Sequence, residues 1–180
     1  MRLLTTSLMF GAAMLLGAQA LAQTAPAPAP TQPPSGGTPE QMPFATPYGT
    51  SITADRAAKV VAAVLAEAGK HPTWRFAITV VDVSGELVYF YRMDGTQFGS
   101  ISISQGKART AARFRRESRA FYNAFETGHE YVHTLDPGLV ASPGGFPLIE
   151  AGKIIGAVGC SGGTGDQDAT VCKAGADTIK

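Results

Sequence analysis

The sequence is short of several residue types, and these shortages narrow the range of functions. Of 180 residues, two are cysteine, three are histidine and one is tryptophan, while 15 basic residues nearly balance 14 acidic ones. The net charge of +1 depends on Arg2, which falls in the leader described below, so the remaining chain is neutral. A neutral chain lacks the basic field that binding to nucleic acid or to an anionic membrane usually requires. Both partners are therefore disfavoured.

Residues 1–22 have the pattern of an export signal. Arg2 supplies a positive charge, Leu3–Leu16 form an apolar core, and Ala20-Leu21-Ala22 is a small-x-small cleavage site. The apolar run is too short for a stable membrane span, and no cysteine follows the cleavage site to carry a lipid anchor. We therefore expect a mature protein that begins at Gln23, has no membrane span and is periplasmic or secreted.

The next segment differs in composition from the rest of the chain. Residues 23–48 contain most of the prolines, with Ala-Pro repeats and no periodic apolar pattern. This composition predicts a disordered, semi-rigid linker. Residues 49–180 are enough for one domain with a single core.

The domain alternates helix patterns with strand patterns. A helix is predicted after the N-cap candidate Thr53, because apolar residues recur at helical spacing until Gly69 ends it. Two β-rich runs flank Ser84-Gly85, and the unbroken apolarity of the first predicts a hairpin in a sheet that is covered on both faces. Further elements are predicted as helices at 100–116 and 118–127, strands at 146–150 and 153–160, and a helix after the glycine-rich turn 161–165.

Five segments of this domain form a recognisable set: VDVSGELV from Val81, RMDG from Arg92, GKARTAA from Gly106, GGFP from Gly144 and IGAVGCSGGTGDQD from Ile155. In this order and at about this spacing, they resemble the GlcG/HbpS haem-binding-protein family. The resemblance covers nearly the whole domain. It implies an α/β fold of the α+β type, in which helices cover both faces of an antiparallel sheet of about five strands, as in profilin-like three-layer sandwiches. It also implies homo-oligomers that bind haem or related tetrapyrroles and, in some members, degrade haem.

The glycine-rich turn between the last strand and the last helix has two interpretations. Free backbone amides at a helix start can hold an anion. Here Asp166 and Asp168 occupy that position, and two carboxylates would repel a phosphate while they complement the helix dipole. The turn is therefore either a capped structural feature or a ligand-facing loop.

A row of basic residues follows one edge of the predicted helix 100–116. Arg109, Arg113 and Arg116 are spaced i, i+4 and i+7, with Lys107 and Arg115 nearby and no acidic residue between them. Like charges in such a row repel one another and destabilise the helix unless opposite charges pair with them. It is either a solvated or intersubunit face, or a binding site for ligand carboxylates such as haem propionates.

A second polar set lies near the first hairpin. Arg92, Asp94, Lys107 and Thr110, together with Asp82, could line a cleft for a small carboxylated ligand. Turn capping and subunit contacts explain these residues equally well. We assign no catalytic residue, and whether the protein is an enzyme stays open.

The segment His129-Glu-Tyr-Val-His133 matches the HExxH pattern of zinc proteases. Residues that favour extended or irregular structure surround it, and no later histidine completes the extended motif, so a zinc protease is disfavoured. His129 and His133 could still hold haem iron or an incidental zinc ion, or they could belong to a surface loop. Other candidates for the haem iron are Tyr91, Met93, Tyr122 and Tyr131. Covalent c-type haem is excluded because the chain has no Cys-x-x-Cys-His.

Cys160 and Cys172 are an even pair in a chain with a predicted export signal. The first ends the last strand and the second lies on the inward stripe of the last helix. Six helical residues rise about 9 Å, so the two sulfur atoms could be offset by more than a disulfide tolerates. The sequence leaves a disulfide and two buried thiols as alternatives.

Three functions therefore remain. The first is an exported haem-binding or tetrapyrrole-binding protein, with haem degradation as an additional activity. The second is an accessory protein or enzyme that acts on a small organic acid. The third is an oligomeric interaction or sensor module whose proline-rich tail reaches a partner.

Overall fold

The computed structural model describes residues 45–180. The predicted leader and the predicted linker up to residue 44 lie outside the described residues. The end of the predicted linker contacts the domain: the carbonyl of Pro47 accepts a hydrogen bond from Ile154 N, and Tyr48 forms an isolated bridge with the same residue.

Helices and strands alternate along the described chain. In order they are α1 (Ala54–Ala68), β1 (Ala77–Val81), β2 (Leu87–Arg92), α2 (Gly99–Arg113), α3 (Arg119–Glu126), a 3-10 helix (Glu130–Thr134), β3 (Gly145–Glu150), β4 (Lys153–Ser161) and α4 (Gly165–Ala176).

The strands form one antiparallel sheet in the order β2-β1-β4-β3. The sheet thus has four strands where the resemblance implied about five. Strand β1 is central and buried along its whole length, which explains its unbroken apolar sequence. Strands β2 and β3 are the two edges.

Helices cover both faces of the sheet, as predicted. On one face, Ile78 and Val80 belong to a core cluster with residues of α1 and α4. On the other face, Val81 and Ala157 cluster with the small residues of α2, which are Ala108, Ala111 and Ala112. The α+β three-layer architecture expected from the sequence is therefore confirmed.

The approach of α2 to the sheet is close because both surfaces are made of small residues. A β-carbon added at Gly159 of β4 would meet backbone atoms of Ser104 and Ala108. Thr79 of β1 and Ser104 of α2 complete the contact with a buried hydrogen bond of 2.9 Å between their hydroxyls. The predicted small-residue face of this helix therefore packs against the sheet.

Candidate functional site

The six residues predicted to bind a ligand do not share one cleft. Arg92 is the last residue of β2 and Asp94 follows it; the guanidinium of Arg92 is 5.2 Å from the ring centre of Phe98, just before α2. Arg109 and Arg113 lie in the last turns of α2. A helix of 15 residues is about 22 Å long, so its two ends cannot contact one small ligand. The arginine row and the polar set near the first hairpin are therefore two separate candidates, as the sequence treated them.

Lys107 and Thr110 are buried and already have partners. Lys107 Nζ lies 2.6 Å from Asp168 Oδ2, and the side chain of Lys107 is 1% exposed. The hydroxyl of Thr110 accepts a hydrogen bond from Val140 N at 2.9 Å. Neither side chain is available to a ligand, so their prediction as ligand-binding residues is corrected.

The arginine row is shorter than predicted, and acidic side chains form ion pairs with part of it. Helix α2 ends at Arg113, because Arg115 has a positive φ of 54°. Arg113 donates to the carbonyl of Ser84 and forms ion pairs with Asp136 at 3.3 Å and Glu86 at 3.5 Å.

The other two arginines of the row have different surroundings. The guanidinium of Arg116 lies 4.2 Å from the ring centre of Phe121. Arg109 lies between the turn at Gly85 and the loop at Gly138. Its Nε is buried without a hydrogen-bond partner, and it has no ion pair among residues 45–180. Arg109 is thus the member of the row whose charge remains available.

The HExxH segment does not form the helix that a zinc protease needs. Residues Glu130–Thr134 form a 3-10 helix, and His129 precedes it with non-helical backbone angles. Residues i and i+3 are aligned in a 3-10 helix, so histidines four apart do not share a face as they do in an α-helix. In the part of the chain that the structure describes, no group of three or more histidine, cysteine or acidic side chains could hold a metal ion.

The two histidines instead pair with aromatic rings. The ring of His133 is 4.8 Å from that of Phe125, and the ring of His129 is 6.0 Å from that of Tyr131. We call these four residues the aromatic–histidine patch. Tyr131 is 60% exposed and Phe125 is 40% exposed, so the patch presents apolar surface to solvent.

The patch adjoins the arginine row. Burial lowers the pKa of Arg116, and the electrostatic influence of Tyr131 opposes that shift. Asp136, three residues after His133, pairs with Arg113. The ion pair of Asp136 with Arg113 thus connects the two segments that the sequence treated separately. Sequence reasoning did not single out Phe125, which falls within the predicted helix 118–127.

The remaining candidates for the haem iron lie elsewhere. Tyr91 is exposed on the edge strand β2. Met93 packs against the core, and its sulfur accepts a hydrogen bond from Phe76 N. Tyr122 lines a small cavity with Arg119 and Asp166.

The glycine-rich turn is capped by its own side chains. Thr164 and Gln167 form a capping box, in which each side chain accepts a hydrogen bond from the other residue's backbone. Asp168 accepts a hydrogen bond from Gly163 N, and Asp166 pairs with Arg119 at 2.7 Å. These partners occupy the amides that an anion would need, which favours the structural interpretation of the turn.

A disulfide joins Cys160 to Cys172 across the sheet and α4. Of the two alternatives that the sequence left open, the structure has the disulfide, because α4 folds back over β4 and brings the two Cα atoms to 5.6 Å. Both residues are fully buried.

Among residues 45–180, no helix combines the length and the apolar character that a membrane crossing requires.

Comparisons with known proteins give the context of these features. The chain is 42% identical to the protein GlcG of Escherichia coli K12 over 110 residues, which are 61% of this chain and 81% of GlcG. A crystal structure of an HbpS double mutant from Streptomyces reticuli superposes with a TM-score of 0.67 at 26% identity, covering 86% of this chain and 99% of that one. The PduOC:haem complex shares the fold, with a TM-score of 0.65, 20% identity, and coverage of 73% of this chain and 96% of that one.

A family model described as haem-degrading protein HbpS-like matches residues 52–177. This range includes all the described helices and strands. The chain belongs to the HbpS-like family, as the five sequence segments predicted.

Proposed function

We propose that this protein binds haem, and that the aromatic–histidine patch and Arg109 form the binding surface. The family model is described by haem degradation, and PduOC, which shares the fold, was crystallised as a haem complex. The observation that carries the proposal is the exposed pairing of His133 with Phe125, in a segment that an ion pair between Asp136 and Arg113 joins to the arginine row.

The chemistry of the patch fits a porphyrin. Haem has a flat apolar ring, and exposed aromatic side chains offer it both apolar area and stacking surfaces. Imidazole is a common ligand of haem iron, and His133 is exposed with its ring centre 4.8 Å from that of Phe125. Bound haem would supply a Lewis-acidic iron centre at this surface.

Arg109 is suited to bind the propionate groups of haem. Haem carries two propionates, and guanidinium groups bind carboxylates in a bidentate geometry. Arg109 is half-buried and has no ion pair in the described part of the chain. Arg113 is already engaged by Asp136 and Glu86, so we assign the propionate contact to Arg109.

A haem titration followed by the Soret band tests the proposal. We expect His133→Ala and Arg109→Glu each to raise the dissociation constant tenfold or more. His71→Ala and Arg75→Glu are matched controls, because His71 stacks on Trp74 and Arg75 bonds to nearby carbonyls, away from the patch. The proposed site is wrong if the controls weaken haem binding as much as the patch variants do. The proposed function is wrong if the wild-type protein gives no saturable Soret change.

The family description names an activity beyond haem binding, which is haem degradation. Its measurement is separate from binding: peroxide is added to the haem complex, and the decay of the Soret band is compared with that of free haem. Faster decay in the complex, slowed by His133→Ala, would assign breakdown to the same surface.

We also propose that the protein is exported. Residues 1–22 have the pattern of an export signal, and the Cys160–Cys172 disulfide fits an oxidising compartment. Cell fractionation followed by N-terminal sequencing should find a periplasmic or secreted protein that begins at Gln23. A cytoplasmic protein that retains Met1 would contradict export.

A further inference from the structure

A polar cleft lies at the end of the sheet where the start of β1 meets the ends of β2 and β4. Its volume is about 410 Å³, which is within the range of small-molecule sites. Three loops line it: the one before β1, the one after β2 and the glycine-rich turn after β4. Its side chains come from Thr73, Trp74, Arg75, Thr96, Gln97 and Gln167, and its other lining residues are glycines.

Backbone contacts fix the shape of the cleft. A β-carbon on Gly162 would overlap the carbonyl of Arg75, so the glycine-rich turn and the loop before β1 are in direct backbone contact. The guanidinium of Arg75 is also held in place, because its Nη1 donates to the carbonyls of Pro72 at 2.8 Å and Trp74 at 2.7 Å. A site that is already ordered loses less entropy when it binds a ligand.

Arg75 supplies the only charge among the lining side chains. It forms no ion pair with any residue of 45–180, and its Nε and Nη2 donate to none of them. A guanidinium binds a carboxylate in a bidentate geometry. A phosphate monoester carries about −1.5 to −2 charges at pH 7, which a single cation does not balance. The cleft therefore suits a ligand with one carboxylate.

The neutral side chains of the cleft have unused hydrogen-bonding groups. The side chain of Gln97 forms no hydrogen bond with another described residue. Gln167 Oε1 accepts from Thr164 N at 2.9 Å, which leaves its amide N–H groups available. The Thr96 hydroxyl donates to the carbonyl of Met93 at 2.8 Å and can still accept. Because a hydroxyl group both donates and accepts, such a set matches a ligand with several hydroxyls.

Trp74 gives the cleft an apolar wall. Its ring is stacked on that of His71, with the ring centres 3.7 Å apart, so the indole is held in position. A sugar ring combines apolar C–H groups with hydroxyls, and an aromatic wall beside a few polar groups is complementary to that combination.

We propose that this cleft binds a monosaccharide that carries one carboxylate, which is the chemistry of a uronic acid. Arg75 binds the carboxylate, Gln97 and Gln167 bind hydroxyl groups, and the sugar ring packs against Trp74. The cleft shares no lining residue with the aromatic–histidine patch and does not include Arg109. This inference therefore does not depend on haem binding.

A titration with glucuronate tests the ligand class. Trp74 is the only tryptophan of the chain, so its fluorescence reports on the cleft, and calorimetry measures the same binding independently. Two matched compounds separate the contacts: glucose has a hydroxymethyl group in place of the carboxylate, and cyclohexanecarboxylate keeps the ring and the carboxylate but has no hydroxyls. We expect saturable binding of glucuronate, with each matched compound bound about tenfold more weakly or worse.

Variants of the cleft test the assigned residues. Arg75→Gln should raise the dissociation constant of glucuronate about tenfold or more and leave that of glucose unchanged. Gln97→Ala should weaken both sugars, and it should keep the wild-type circular dichroism because Gln97 has no side-chain partner to lose. Arg56→Gln is the matched control, since Arg56 pairs with Glu150 and lines a different cavity.

The outcomes are decisive in both directions. The proposal is overturned if calorimetry finds no saturable binding of glucuronate to the wild-type protein, or if glucose or cyclohexanecarboxylate binds as tightly. It is also overturned if Arg56→Gln weakens glucuronate binding as much as Arg75→Gln does.

Discussion

Lys107 of α2 and Asp168 of α4 form an ion pair of 2.6 Å between helices on opposite faces of the sheet. Their side chains are 1% and 3% exposed. The contact passes the glycines at the start of β3: a β-carbon on Gly144 would meet Asp168, and one on Gly145 would meet the backbone of Lys107. Asp168 also accepts a hydrogen bond from Gly163 N, which ties the glycine-rich turn to the same pair. The pair therefore links both outer layers and the turn before α4.

Burial acts on the two partners in opposite directions. It lowers the pKa of Lys107 and raises the pKa of Asp168, while the attraction between them opposes both shifts. Each buried charge is thus stabilised by the opposite charge of its partner. Removal of one partner should cost more than removal of both charges.

We predict that Lys107→Met lowers the free energy of unfolding by about 3–5 kcal/mol, since it leaves a buried carboxylate without its cation. The double variant Lys107→Met/Asp168→Asn should recover about 2 kcal/mol of this loss, because the amide removes the charge and keeps an acceptor for Gly163 N. Urea unfolding followed by circular dichroism measures both. Lys173→Met is the control: its pair with Asp177 is 60% and 62% exposed and should contribute less than about 1 kcal/mol. A double variant no more stable than the single one would contradict this interpretation.

A second prediction concerns the contact between α2 and β4. Gly159→Ala should lower the free energy of unfolding by about 3 kcal/mol, because the new methyl group would overlap backbone atoms of Ser104 and Ala108, which cannot move aside as a side chain does. Gly99→Ala is the matched control, since a β-carbon at that first residue of α2 meets no atom within 4 Å. It should be neutral or stabilising by up to about 1 kcal/mol. Thermal unfolding of both variants distinguishes these outcomes, and equal effects would refute the close packing.

The fold could be predicted because its signals are local and repeated. Apolar periodicity marked α1, the unbroken apolar run marked the central strand β1, and the glycines after Ser161 marked the change from β4 to α4. The end of α2 was predicted three residues too late. Arg115 ends the helix with a positive φ, and no glycine or proline beside Arg115 in the sequence indicates that conformation.

The candidate site was harder to predict because its contacts join distant residues. Lys107 was expected to face a ligand, since lysine is rarely buried, and its partner Asp168 is 61 residues away in the sequence. The histidines matched a helical motif, whereas the chain forms a 3-10 helix there. The proximity of the arginine row to this segment depends on the loop that contains Asp136, which no periodic pattern describes.

The third prediction concerns the disulfide. Cys160 and Cys172 are separated by 12 residues, and closing a loop of that size in the unfolded chain contributes about 2–3 kcal/mol in the chain-entropy model. We expect reduction to lower the free energy of unfolding of the wild-type protein by about 2–3 kcal/mol, and so to lower its urea midpoint. A Cys160→Ala/Cys172→Ala variant should resemble the reduced protein and should not respond to reductant. Intact mass with and without reduction and alkylation checks the bond itself, and an unchanged midpoint after proven reduction would remove its stabilising role.

The fourth prediction uses the turn between β1 and β2. Asp82 Oδ1 accepts hydrogen bonds from Ser84 N at 2.8 Å, from the Ser84 hydroxyl at 2.7 Å and from Glu86 N at 2.9 Å. Burial alone would raise the pKa of Asp82, but these hydrogen bonds and one from Gly85 together outweigh it and lower the pKa. A carboxyl group with a lowered pKa in the folded state stabilises the fold above its unfolded pKa of about 3.9, and this stabilisation is lost as the pH falls through the folded value.

We therefore expect Asp82→Asn to be less stable than the wild-type protein at pH 7, by about 1 kcal/mol, because the neutral amide accepts weaker hydrogen bonds. The difference should shrink below about pH 4, where the wild-type carboxylate takes up its proton. Urea midpoints measured from pH 7 down to pH 3 give the comparison. Asp94→Asn is the control, since Asp94 is exposed and accepts no hydrogen bond from another described residue, so its midpoint should follow the wild type throughout. If the gap for Asp82→Asn stays constant down to pH 3, the carboxylate charge is not what holds this turn.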